Sequence, residues 1–349
     1  MRRYPAGFLA GAVALSLSLV ACATEAPVRK GLKDAVALSY ERIPLSQSDR
    51  KEHRVGRLLY RGGIEISSSD RRFGGWSGLV VSADGTRMLT QSDKAHWLRA
   101  DLVYGTRGNL AGIANAQLAD MRNRRGRRMA KRQGDAEGLV ALTRAGPDGP
   151  VLVSFERIPR VWSYDLSHSL DARPEPVSMP DGIKTLRGSN QGLEGLTILR
   201  PGAVLAVSEA PHETRGEMDA WLVPYPTRAA GIVYGALKIK RHPPYEISDA
   251  AMGPDGKYLY LLERHYYGMV RGVAIAVRRI RATDVRGGAT LGGQEIAEFS
   301  VRENIDNMEG LALRRSSDGK TYLYMISDDN YSPLQRTLLL MFELVAKAQ

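Results

Sequence analysis

Glu137-Gly138-Leu139-Val140-Ala141-Leu142, a turn at Asp148-Gly149, and Val151-Leu152-Val153-Ser154-Phe155-Glu156 form one copy of a pattern that recurs five times in this chain of 349 residues. The other copies run from Ser77-Gly78-Leu79 to Ser92-Asp93, from Glu194-Gly195-Leu196 to Ser208-Glu209, from Ser248-Asp249 to Glu263, and from Glu309-Gly310-Leu311 to Ser327-Asp328. Their first residues are 60, 57, 54 and 61 positions apart. Each copy holds a turn: Asp84-Gly85, Asp148-Gly149, Pro201-Gly202, Asp255-Gly256, Asp318-Gly319. Asp-Gly steps accept positive φ and favour hairpins. Short apolar runs between such turns favour strands over helices. A strand–turn–strand unit at a fixed period predicts an all-β fold, a β-propeller. The count gives about five blades, with six as the alternative, because residues 94–134 have room for further strands.

After the fifth copy the chain has room for only two or three strands, Thr337 to Val345 among them. The strand-like Arg54 to Ile66 completes that blade in this reading, so the N- and C-terminal strands close the ring and leave no long edge exposed. The one segment read as helical is the alanine-rich Leu110 to Arg122.

The N-terminus reads separately. Arg2 and Arg3 precede an apolar run from Gly7 to Val20, and Leu19-Val20-Ala21-Cys22 has the form of a bacterial lipobox. Cys22 is the single cysteine, so the mature chain has none for disulfides. The expected organisation is a signal peptide over 1–21, a lipidated N-terminus and polar tether over 22–53, and the propeller over 54–345. The expected location is the bacterial cell envelope, lipid-anchored on the periplasmic face of the outer membrane. The twin arginine also raises the folded-export route, though the residues after it match that signal poorly. A net charge of +11 favours anionic small molecules or phosphorylated ligands. Arg122 to Lys131-Arg132 carries seven cations in eleven residues. Export argues against nucleic acid for that tract, which reads as a solvated loop, or as a contact for anionic lipid or a phosphorylated substrate.

In a propeller the innermost strands crowd around one axis, so acids recurring at their ends meet. The entrance acids are Glu137, Glu194 and Glu309, with Ser77 as the first blade's variant and either Ser248 or Asp249 in the fourth. The exit acids are Asp93, Glu156, Glu209, Glu263 and Asp328. A carboxylate at the end of an apolar strand needs a partner, because burying it alone is costly. One reading gives each an Arg or backbone amide from the next blade. The other brings several together on a cation, with Asp135, Asp306 and the Asp328-Asp329-Asn330 group as further oxygen donors. Asp135, Glu137, Glu194, Glu209, Asp306, Glu309 and Asp328 are the candidate metal ligands, and such a set suits Ca²⁺. The six histidines lack zinc-site spacing. Glu156-Arg157 and Glu263-Arg264 are the candidate catalytic pairs, since Arg forks onto phosphate or carboxylate.

With these residues in view, the chain resembles the phytase-like propeller family described as having esterase-like activity of phytase. The resemblance rests on Trp76-Ser-Gly-Leu79 with Ser92-Asp93, Asp135-Ala-Glu-Gly-Leu139 with Phe155-Glu-Arg157, Asn190-Gln-Gly-Leu-Glu-Gly195, Leu262-Glu-Arg264, and Asn307-Met-Glu-Gly-Leu311 with Ser327-Asp-Asp-Asn330. It implies a propeller that hydrolyses phosphoesters or related esters, with calcium held by carboxylates facing the channel. The alternative is a non-catalytic envelope binding or scaffold propeller.

Overall fold

The computed structural model describes residues 23–184, 186, 192–211, 216–268 and 272–346. Cys22 and the signal segment lie outside them, as do Asn190 and His212. Five sheets form in sequence order, antiparallel except where Lys238 and Ile239 pair in parallel with Thr290 and Leu291, and their innermost strands are Trp76–Val81, Ala136–Ala141, Leu193–Arg200, Glu246–Met252 and Met308–Arg315. Each inner strand packs against the next, and the fifth against the first, so the ring is closed. It is a five-bladed propeller.

Residues 94–134 supply no sixth blade. They hold the third and fourth strands of blade 1, His96–Tyr104 and Leu110–Asp120. The helical reading of Leu110–Asp120 is therefore corrected to a strand. Small alanines and no clear alternation belong to a strand covered on both faces. Here its outer side is met by the N-terminal segment, whose Val36 N–H donates to Ala116 O (3.0 Å). The segment read as a tether is thus part of the fold from Thr24 onward. Thr24–Glu25 pairs with Ser39–Arg42, which pairs with Leu58–Ser67, and Val36, Leu38 and Leu45 are buried.

Blade 5 closes as expected: Leu58–Ser67 lies against Thr337–Leu344, itself paired with Thr321–Ser327. Five hydrophobic clusters fill the five interfaces between blades. Trp76, Leu79 and Met88 meet Ile64, Tyr324 and Leu339 between blades 1 and 5, and Leu152 and Val161 meet Leu196 and Val204 between blades 2 and 3.

The repeated Glu-Gly-Leu triplet has a packing logic. The Leu fills the inter-blade core, and the Gly lets inner strands approach. A Cβ on Gly138 would stand 2.7 Å from Glu194 O and 2.8 Å from Leu196 Cβ, and one on Gly78 would stand 2.6 Å from Leu139 Cβ. No larger residue fits so near a neighbouring backbone.

A candidate cation-binding mouth at one end of the channel

In every blade the inner strand carries one extra residue at the same place. The register slips between Trp76 and Leu79, Ala136 and Leu139, Leu193 and Gly195, Ile247 and Asp249, and Met308 and Gly310. A bulge re-aims the side chain it inserts. The residues so placed are Ser77, Glu137, Glu194, Ser248 and Glu309. The fourth-blade register is thereby fixed on Ser248. Asp249 instead accepts the N–H groups of Ala250 and Leu311, both at 2.7 Å.

The residues that follow the second-strand partners of Trp76, Ala136, Leu193, Ile247 and Met308 are Asp93, Glu156, Glu209, Arg264 and Asp328. With the entrance acids they line a cavity of about 210 Å³ together with Asp135, Arg157 and Asn330. Of the sequence candidates, Asp135, Glu137, Glu156, Arg157, Glu194, Glu209, Arg264, Glu309 and Asp328 meet here. Two do not. Glu263 lies one position earlier on the second strand of blade 4, so it faces into the blade, where Arg278 grips both its oxygens (2.8 and 2.9 Å) and His242 Nδ1 lies 3.0 Å away. Asp306 turns from the cavity to accept the N–H groups of Asn307 (2.9 Å) and Arg336 (3.1 Å). Asp93 and Asn330 line the cavity but were missing from the candidate ligands. Their signal was present, as the exit residue of blade 1 and the amide beside Asp328.

Eight carboxylates face two guanidinium groups in this cavity. A basic chain therefore carries a strongly acidic hollow. Arg264 answers part of the charge. Its Nη2 donates to Glu209 Oε1 (3.0 Å), and its Nη1 donates to Asn307 Oδ1 (2.6 Å) and to Glu309, joining blades 3, 4 and 5. Burial opposes its charge, but Glu309, Glu209 and Glu194 outweigh burial and hold it protonated. Arg157 Nε donates to Asp135 Oδ2 (2.5 Å).

The remaining acids are under-matched. Glu137, Glu156 and Glu194 have no cationic side chain within 4 Å among the described residues, and one oxygen of Asp93 is buried without a hydrogen-bond partner. Burial, then Glu309 and Asp135, pushes Glu137 far above the usual carboxylate range. Burial, then Glu137 and Glu209, does the same to Glu194. Burial raises Glu156 to about 7, with Asp135 and Glu209 adding to it. Asp93 rises to about 6 through burial, against the pull of Lys94. Two sets of three carboxylates, Asp135–Glu137–Glu156 and Glu156–Glu194–Glu209, bring one oxygen from each residue within 4.8 Å of one another. Glu156 belongs to both. Crowded, partly dehydrated oxygen donors with too few cations fit a hard divalent ion.

Fold and hollow define a class: a closed propeller whose repeat acids converge at one end of its channel. The family model described as Phytase-like, esterase-like activity of phytase, matches residues 71–331. The chain belongs to that family. Among solved structures it is similar to the phage phi92 endosialidase, at 8% identity and a TM-score of 0.40, over 93% of this chain and 60% of that one. It is also similar to the WD40 repeats of RRP9, at 10% identity and a TM-score of 0.34, over 92% of this chain and 79% of that one. The chain thus spans 60% of the length of the endosialidase. No curated protein matches it in sequence.

Proposed function

We propose that the channel mouth holds calcium and hydrolyses phosphoesters or related esters, in a protein exported to the bacterial envelope and anchored through Cys22. The observation that supports this reading most is the excess of converging carboxylates over cations. A purely structural set would be matched one to one. Asp135, Glu137, Glu156, Glu194 and Glu209 would hold the ion, and a bound divalent cation would neutralise an anionic ester and polarise it toward attack.

The chain's own residues supply the rest. Glu156, the acid common to both sets of three, can take a proton from an attacking water with the carboxylate oxygen it does not give to the ion. Arg264 stays charged and offers a fixed positive pole on the blade 4 side of the cavity. Arg157, half exposed at the rim, can meet a phosphate oxygen as the ester enters. Glu263 takes no part, being locked to Arg278.

The Arg264 clamp supports a second reading, a scaffold or binding propeller, for that part of the ring. Hydrolysis of p-nitrophenyl phosphate and p-nitrophenyl acetate, with calcium and with chelator, separates the two. Calcium-dependent turnover that Glu156→Gln abolishes supports the hydrolase. Turnover absent in both buffers, with no heat of calcium binding by calorimetry, leaves the scaffold.

A further inference from the structure

The face of the ring around the channel mouth differs from the rest of the surface. Eight large apolar side chains stand exposed among the described residues, and five of them, Ile158, Tyr266, Tyr267, Val301 and Leu334, lie at this end. Ile158 sits in the turn between Pro150–Phe155 and Arg160–Asp165, and Leu334 in the loop between Thr321–Ser327 and Thr337–Leu344. Tyr266 and Tyr267 end the second strand of blade 4, and Val301 follows its last strand. The blade 4 tips adjoin: Tyr267 N–H donates to Gly272 O (2.9 Å), and a Cβ on Gly272 would stand 3.0 Å from Val301. Isolated exposed apolar residues carry no message, but their gathering at one end does.

The same end carries the basic tract. It forms a hairpin in which Asn123 Oδ1 accepts the N–H groups of Arg125 (2.9 Å) and Arg127 (3.0 Å). Asp171 holds Arg122, and Asp120 holds Arg128 at 2.6 Å. Arg124, Arg125, Arg127, Lys131 and Arg132 remain exposed, with no acid within 4 Å among the described residues. The acids of the mouth are recessed in the channel, whereas these cations stand outside it on the connection from blade 1 to blade 2, whose tip at Gly126 lies against Arg173.

The first described strand, Thr24–Glu25, also runs toward this end. Thr24 pairs with Tyr40, Tyr40 with Ile66, and Ile66 with Thr337, the first residue of the strand that descends from the mouth.

We propose that this face docks on an anionic bilayer, with the apolar tips in the boundary between headgroups and acyl chains and the hairpin on the headgroups. Charge complementarity selects the occupant. The proposal makes no use of the channel acids, so it stands or falls apart from the hydrolase reading.

Protein spanning residues 23–349, which keeps every described strand and has no acyl anchor, is tested by cosedimentation with vesicles in chelator. Phosphatidylcholine vesicles are compared with vesicles that also contain phosphatidylglycerol. Binding is expected to the anionic vesicles only. The triple change Arg124→Ser, Arg125→Ser, Arg127→Ser should weaken it by about fivefold per cation. Tyr266→Ser, Val301→Ser and Leu334→Ser together should weaken it at least about tenfold, at an unchanged melting temperature. Leu334→Ser alone, at the most exposed tip, serves if the triple variant melts lower. No binding to anionic vesicles, equal binding to both kinds, or binding unchanged in either variant set overturns the proposal.

Discussion

Glu194→Gln gives the sharpest test of the channel mouth, because the two readings predict opposite signs in chelator. Glu194 is 6% exposed, and burial together with Glu137 and Glu209 disfavours its charge. Without a cation, the amide relieves that repulsion at almost unchanged size, so the variant should melt at or above the wild type. With calcium the order should reverse. An ion at about 100 times its Kd stabilises the folded chain by about 2.7 kcal/mol. Unfolding 349 residues carries an entropy of about 0.7 kcal/mol/K, so calcium should raise the wild-type midpoint by about 4 °C. Each tenfold of affinity lost with the charged ligand removes about 1.4 kcal/mol, hence about 2 °C of that gain. The assay is a pair of thermal melts, in calcium and in EDTA, for each protein. A variant that melts lower than wild type by the same margin in both buffers would refute the reasoning, since a carboxylate serving as an inter-blade lock behaves that way.

Four further outcomes are expected. In chelator, stability should fall as pH rises from the ordinary carboxylate value near 4.5 through about 6 for Asp93 and about 7 for Glu156, because the folded state binds these protons more tightly; urea midpoints that rise across this window would contradict it. Gly138→Ala, whose Cβ would crowd Glu194 O and Leu196, should cost about 1–3 kcal/mol, while Gly292→Ala, with nothing within 4 Å, should leave the melting temperature in place. Deleting residues 338–349 removes the strand that pairs with both Leu58–Ser67 and Thr321–Ser327 and should abolish a single cooperative melt; an unchanged transition would count against closure by these strands. Cys22→Ser should end incorporation of a fatty-acid probe in cells, and equal labelling of both proteins would dispose of the anchor.

The repeat was legible because four of the five blades write the same contacts: Gly where inner strands approach and Leu where blades pack, in all but blade 4, and Asp-Gly where hairpins turn, in all but blade 3. Closure was legible from the strand deficit after Asp328. Leu110–Asp120 misled because its covering segment, around Val36, lies more than seventy residues away in the chain. Small residues that serve a doubly covered strand look locally like helix formers. At the mouth, the repeated acids pointed to the right place but not to the last residue of register. Glu263 and Arg264 are neighbours in sequence, yet the pleat sends one to Arg278 inside the blade and the other into the channel. Asp306 was misplaced for a similar reason, since a loop acid near an inner strand satisfies a backbone N–H as readily as it faces an axis. The bulge that decides which entrance residue faces the channel exists only in the pairing of two strands.

The strand pairing that closes blade 5 also orders events during synthesis. Leu58–Ser67 is made early, but its partner Thr337–Leu344 leaves the ribosome only after blades 1 to 4 and the first two strands of blade 5. Until it arrives, the strand has no mate and the ring stays open, while blades 1 to 4 have only local hairpins to form. Joining ends so far apart in sequence pays the largest loop-closure entropy in the molecule, so the finished ring forms late. Until closure a chain of this design is a string of hairpins without a closed ring, in a form still able to be threaded. The same delay makes the final strand a natural checkpoint: a truncated product carries the whole acidic mouth in sequence but never assembles it.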